Sequence, residues 1–310
     1  MAKLQNSRSR LSNNSRVLLQ DHQIHLKLAS FNYKRLEPKL PSIDWKKDLN
    51  YEIKMRAIEQ EMLEKEISLI KPFMEGMPLI VNEFLKWFEE LVNIGPGQND
   101  PLFDWLEETA NREEMTWFIR QEIAGEAGFE DLAALTQIKM PAQPKLEFAR
   151  NYWDEMGRGH KKGMHGPMLV SLAQELKIIP PTPEEIITEA AALSNIMIAM
   201  AINRTYAYHS AGALGAIELT APGRAIKIYN GLKRLGLSPE AQHYYLLHSS
   251  IDIKHSKAWN TEVFLPLITD NPSLICPIAE GALLRLNAGK RCFERYRQEL
   301  CENSSLPKKP

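Results

Sequence analysis

Cysteine is scarce in this chain of 310 residues: Cys276, Cys292 and Cys301 are odd in number, lie late and show no CxxC spacing. That pattern excludes both a disulfide framework and a zinc knuckle. Net charge is also missing, since 38 Lys and Arg stand against 39 Asp and Glu. No global field therefore draws the chain to nucleic acid or to an anionic membrane. No apolar run approaches the roughly 18 residues of a membrane span, and the opening MAKLQNSRSRLSNNSR lacks the apolar core of a secretory signal. A cytoplasmic protein is expected. Stretches of alternating β-branched residues long enough to make a strand are absent too. A content of 44% hydrophobic and 25% charged residues nevertheless suits a globular chain with a substantial core.

What is present reads as helix. From Trp45 onward apolar residues recur at three- and four-residue spacing, as in Ile53, Met55, Ile58, Met62, Ile67 and Leu69. Further helices are predicted over 78–92, 101–110, 113–138 and 145–156. After a Gly-rich stretch they resume over 167–176, 183–206, 222–235, 239–254 and about the last 30 residues. Prolines near first turns and glycines after last turns mark most of these boundaries. Residues 1–45 differ: up to Leu40 they hold eight Lys and Arg against only Asp21 and Glu37, with a Ser/Asn/Arg-rich start. A mobile basic arm is expected there, followed by one all-α domain over 46–305, a single helical bundle of about eight to ten helices.

In a helical bundle, sites of known physical logic are built from carboxylates and histidines that point inward from facing helices. Four segments supply them. At about 100° per residue, Asp252 lies about 40° from His248, and His255 about 20° to the other side, so all three project from one helix face. Two imidazoles and a carboxylate suit iron, manganese or zinc; the alternative is a pair of core histidines bridged by the aspartate. Glu155 closes one predicted helix and His165 opens the next, with Gly157 and Gly159 between them to bend the chain. Glu218 is a single acid within an apolar, small-residue stretch, where a carboxylate is costly without a cation. On the helix predicted for 113–138, Phe118, Glu122, Glu126 and Phe129 share a face, so Glu122 or Glu126 points inward unless the acids form an exposed pair.

The order of Glu126, the WDEMGRG segment with Glu155 and then His165, the GALGAIE segment ending in Glu218, and His248-xxx-Asp252-xx-His255 resembles the haem-oxygenase-like di-iron oxidases and oxygenases, the iron-containing redox enzymes. The resemblance spans about residues 110–300. It implies the bundle shared by haem oxygenase and thiamin-salvage proteins, with non-haem iron in place of haem. It makes Glu126, or Glu122 one turn earlier, and Glu218 bridging or terminal carboxylates. It makes His165, His248, Asp252 and His255 terminal ligands, and Glu155 a ligand or a close supporting acid. Two Fe(II) per chain are implied, with dioxygen as co-substrate, a peroxo-bridged diferric intermediate, and an amino-acid, amine or fatty-acid substrate. Related bundles often pair as homodimers.

One departure is Lys162, which stands where some members carry a further carboxylate. Trp153, Tyr206, Tyr208 and Trp259 flank the ligand segments as candidate pocket walls, and Arg204 as a candidate for a substrate carboxylate. A non-catalytic bundle that binds a partner is the alternative function. Haem binding is disfavoured because haem needs a lone proximal histidine, whereas here acids surround the histidines.

Overall fold

A computed structural model describes residues 13–301 of the chain. Among them are thirteen α-helices and no strand, only an isolated bridge between Met156 and Met164. The helices are α1 (Asn13–Leu36), α2 (Trp45–Met74), α3 (Val81–Ile94), α4 (Pro101–Glu108), α5 (Arg112–Gly125), α6 (Phe129–Thr136) and α7 (Ala142–Glu155). They continue with α8 (His165–Glu175), α9 (Thr188–Ile202), α10 (Ala207–Arg234), α11 (Pro239–Ala258), α12 (Leu265–Asp270) and α13 (Ile275–Cys301). The expected all-α bundle is the observed architecture. No helix among the described residues is long and apolar enough to cross a membrane.

The bundle is organised around α10, which packs along both α11 and α13. Its stretch from Ser210 to Ala216 is fully buried and made of small residues apart from Leu214. The reason is backbone proximity. A Cβ built on Gly212 would stand 1.9 Å from the Ile278 carbonyl oxygen, and one on Gly281 would stand 1.8 Å from that of His209. Two glycines facing each other's helices thus let α10 and α13 touch backbone to backbone. Apolar side chains then divide into two cores. One gathers Leu28, Phe84, Phe88, Trp259 and Phe264, and the other Leu102, Phe103, Phe118, Phe293 and Tyr296.

Three differences from the sequence expectation have a clear physical cause. The helix predicted over 113–138 is broken into α5 and α6, because Gly128 takes a left-handed φ of 76° and Glu126 an extended backbone. The helix predicted to begin at Pro222 begins instead at Ala207 and carries Pro222 in its interior. Pro222 cannot donate to the carbonyl of Glu218 four residues earlier, yet packing of α10 on both flanks keeps the helix continuous. The third correction concerns the arm. Residues 13–36 form α1, which docks on α9 through buried Leu28 and Phe31 and a 2.8 Å hydrogen bond from Asn32 Nδ2 to Asn195 Oδ1. Ile24, Leu28 and Phe31 make a stripe at helical spacing that the polar composition hides. Residues 1–12 and 302–310 lie outside the described residues.

Candidate metal centre

The centre is assembled from α7, α8, α10 and α11. Helix α11 starts where the sequence places it, with Ser238 as N-cap and Pro239 in the first turn. Its period brings His248, Asp252 and His255 to one buried face. Four residues beyond His255 the backbone widens into a π-helical turn, Trp259–Phe264, which sequence periodicity does not reveal. Trp259 there donates its indole N–H to the Ala211 carbonyl at 3.1 Å, tying this end of α11 to α10.

Glu155 ends α7 and His165 begins α8. Between them Gly157, Arg158 and Gly159 all adopt positive φ, and the chain closes on itself at the Met156–Met164 bridge. The loop returns the His165 ring to Glu155, with Nδ1 2.8 Å from Oε2. His248 Nε2 lies 3.6 Å from the same Glu155 oxygen. Glu155, His165 and His248 form one buried triad, and Glu218, Asp252 and His255 form a second; within each, the potential ligand atoms lie within 4.8 Å of one another. Six of the eight sequence candidates are thereby brought together, from four helices.

The histidine tautomers are set by their outer partners. His248 donates from Nδ1 to the Tyr244 carbonyl at 2.7 Å, which leaves Nε2 facing Glu155. His255 donates from Nε2 to Asp154 at 3.0 Å, which leaves Nδ1 facing Glu218 at 3.4 Å. In both cases the inward nitrogen carries the lone pair a metal requires once the ring is neutral. Asn151 donates to Glu218, so α7 supports both triads from one face through Asn151, Asp154 and Glu155. Asp154 and Asn151 were not singled out from sequence. Asn151 stands three residues before Asp154 and four before Glu155, the helical spacing that could have found them.

The remaining two candidates separate. The break at Gly125 turns Glu126 toward His165, at 3.9 Å from Nε2, while its other oxygen accepts from Gly128 N–H at 3.0 Å. Glu122, one helical turn earlier, accepts a hydrogen bond from the Tyr296 hydroxyl and belongs to neither triad. Glu130, another acid not anticipated, has a buried Oε2 without a hydrogen-bond partner and lies near enough to His165 to act on its charge.

Other expectations are corrected. Lys162 is exposed on the loop between α7 and α8, which agrees with a solvated turn rather than with a side chain facing the centre. Arg204 bonds the carbonyls of Leu135, Thr136 and Ile138 and thereby caps α6. Trp153 is 53% exposed, Trp259 is buried in the core, and Tyr206 bonds Gln60 at 2.9 Å; none of these, nor Tyr208, borders the cavity at the centre.

Charge explains what the centre demands. Burial pulls the His165 pKa down, but its hydrogen bond to Glu155 and the charges of Glu126, Glu155 and Glu130 outweigh this and raise it to about 9. His255 is likewise raised to about 9, burial being outweighed by Glu218, Asp154 and Glu155. Glu155, despite burial, is held well below the usual carboxylate range by His165 and His248. Asp252 behaves oppositely: burial first, then the charges of Glu218 and Glu155, push it well above the ordinary aspartate value. Its Oδ1 is buried without a hydrogen-bond partner. Three buried carboxylates facing three imidazoles, with one carboxylate oxygen unpartnered, fit a pair of divalent cations and are poorly satisfied by protons alone.

A family model described as iron-containing redox enzyme matches residues 116–290, more than half of the chain and inclusive of all eight candidates. The chain belongs to the iron-containing redox enzyme family. Two crystal structures of a CADD-like protein of unknown function from Nostoc punctiforme share the fold. One, at 1.35 Å resolution, is 17% identical with a TM-score of 0.54 and covers 73% of this chain and 99% of that one. The other, at 2.00 Å, is 16% identical with a TM-score of 0.51 and covers 78% and 97%. No curated protein matches. For a member of the iron-containing redox enzyme family, the two buried carboxylate–imidazole triads are the natural place for the metal.

Proposed function

We propose that the protein is a non-haem di-iron, dioxygen-dependent oxidase or oxygenase acting on a small organic substrate. The observation that carries this reading is that the two triads, which share α11 and together draw on four helices, border one cavity. Glu155, His165, His248, Glu218 and Asp252 all contribute to its wall, and its empty space is about 1240 Å³ with the mouth included. Glu155, His165 and His248 would hold one iron, and Glu218, Asp252 and His255 the other, with Glu126 at the edge of the first. Two ferrous ions there would supply the electrons for dioxygen reduction.

The chain's own residues do the rest. The Tyr244 carbonyl and Asp154 keep the inward nitrogens of His248 and His255 unprotonated once their neighbours are neutralised. The Tyr244 hydroxyl, 3.1 Å from His165 Nε2, stands at the cavity wall where it can donate or accept a proton. Leu132, Met197, Leu169 and Phe129 close the space with apolar surface and exclude bulk water.

Anaerobic ferrous titration followed by a pulse of dioxygen tests the reading. Close to two irons per chain, oxidised on mixing with dioxygen, are expected. One iron or none, or ferrous iron indifferent to dioxygen, would overturn it.

A further inference from the structure

The same cavity holds a further set of charged groups that belong to neither triad. Arg224 on α10 and Arg285 on α13 both contribute to its wall, together with Glu122 of α5. Among the described residues neither arginine is in an ion pair with a carboxylate, in contrast to Arg291, which holds Glu66 at 2.6 Å. Arg224 and Arg285 are both half-buried. The Arg224 guanidinium carbon stands 5.8 Å from the Phe103 ring centroid and 5.5 Å from that of Phe293, and its one protein hydrogen bond is a 3.3 Å contact to Thr220 Oγ1.

Burial and the neighbouring Arg285 lower the Arg224 pKa only to about 10, so it is a cation at neutral pH. Glu122 acts on both guanidinium groups but is engaged by the Tyr296 hydroxyl. Glu122 is the acid that acts on both arginines, and Asp252 acts on Arg224 after it, so the two guanidinium groups share one common carboxylate. Half-buried guanidinium groups without a carboxylate of their own can take up an anion from a ligand. The Phe103 and Phe293 rings flank the Arg224 guanidinium, and a planar guanidinium at a cavity wall can receive a carboxylate through two parallel bonds.

We propose that Arg224 and Arg285 anchor the anionic group of the substrate, a monocarboxylate on an apolar body, and that they rather than the metal select for it. With Glu122 ionised the arginine pair keeps one net positive charge, which a monoanion neutralises and a phosphate dianion overshoots. The apolar body is accommodated by Phe103, Ile228, Phe293 and Leu193, which line the same cavity. Arg224 also lies near enough to Asp252 for each to act on the other's charge, so a molecule held at the arginines is delivered beside the second triad. The assignment rests on this cavity being the substrate pocket of the proposed oxygenase.

Calorimetric binding of octanoate, 4-phenylbutanoate, octanamide and octyl phosphate to the full chain, metal-free and iron-loaded, tests it. At least one of the two carboxylates is expected to bind the metal-free protein. Arg224→Gln and Arg285→Gln should each weaken that binding tenfold or more, while Arg224→Lys, which keeps charge but loses the fork, should recover part of it. Octanamide should bind weakly and without regard to either variant. If Arg224→Gln fails to fold, Arg285→Gln on a different helix decides. Carboxylate binding that needs iron, binding that neither variant weakens, binding of neither carboxylate, or tighter binding of octyl phosphate would each overturn the assignment. Because the measurement includes metal-free protein, a failure of the di-iron reading shows separately, as arginine-dependent carboxylate binding in a chain that holds no iron pair.

Discussion

Asp154 and His255 are joined by a 3.0 Å hydrogen bond from the ring Nε2 to the carboxylate Oδ2, across the gap between α7 and α11. Arg158 holds the other Asp154 oxygen at 2.6 Å, so the acceptor is itself oriented. This arrangement turns His255 Nδ1 toward Glu218 and fixes it there. Asp154→Ala is expected to weaken the iron held by the second triad about 10–100-fold and leave the first nearly unchanged. Ferrous titration of the two proteins measures it, and coincident curves would remove Asp154 from the centre.

Iron binding should release protons. In the metal-free protein His165 and His255 hold theirs up to about pH 9, and Asp252 is protonated above the ordinary aspartate range. A histidine raised from 6.5 to about 9 stabilises the fold fully below pH 6.5 and loses that contribution as pH rises through 9. An aspartate with a raised pKa has the same sign, since its ionised form is the less stable one in the fold. Glu155, which is lowered, works in the opposite direction but titrates only in acid. The gap in Tm between iron-loaded and metal-free protein should therefore widen from pH 6.5 to pH 9. Scanning calorimetry across that range checks the sign; a constant gap would mean that the imidazoles are already neutral.

Glu218 and Glu122 should part company on substitution. Glu218 is buried between His255 and Asn151, whereas Glu122 is occupied by Tyr296 outside both triads. Glu218→Ala is expected to reduce bound iron from two per chain to one and to abolish turnover, while Glu122→Ala keeps both irons. Equal iron loss in the two variants would restore Glu122 as a ligand.

The contact between α10 and α13 depends on the absence of two side chains. Gly212→Ala would force a methyl group against the Ile278 carbonyl, where the backbone cannot yield without separating the helices. A loss of about 1–3 kcal/mol is expected from such overpacking, and a fall in iron affinity with it, because α10 carries Glu218. An unchanged denaturation midpoint would show that the two helices can part at no cost.

Removal of residues 1–36 should destabilise the bundle, since Leu28, Phe31 and Asn32 are buried against its other elements. Asn32→Ala alone should cost about 1–3 kcal/mol by leaving Asn195 with an unmet acceptor in the interior. Chemical denaturation of both proteins gives the comparison, and wild-type stability in the truncated chain would mean that α1 rests on the surface only.

The sequence by itself determined whatever depends on a single local period. Helix at α11 and the shared face of His248, Asp252 and His255 follow from 100° per residue, which no tertiary contact alters. The return of His165 to Glu155 follows nearly as directly, because the glycines at 157 and 159 admit the positive φ that the intervening turn takes. Tertiary structure alone decided the rest. Whether Glu122 or Glu126 approaches the histidines turned on where α5 breaks, and a difference of one helical turn between two acids leaves no periodic trace. Docking of α1 was hidden because its apolar positions are interleaved with Asn, Gln, His, Lys and Arg, which hold down the mean hydropathy of the segment. Asp154, the Tyr244 carbonyl, Arg224 and Arg285 acquire their roles from partners on other helices. Such partnerships arise when a bundle closes, and no spacing along one chain encodes which distant side chain an exposed-looking acid or arginine will meet.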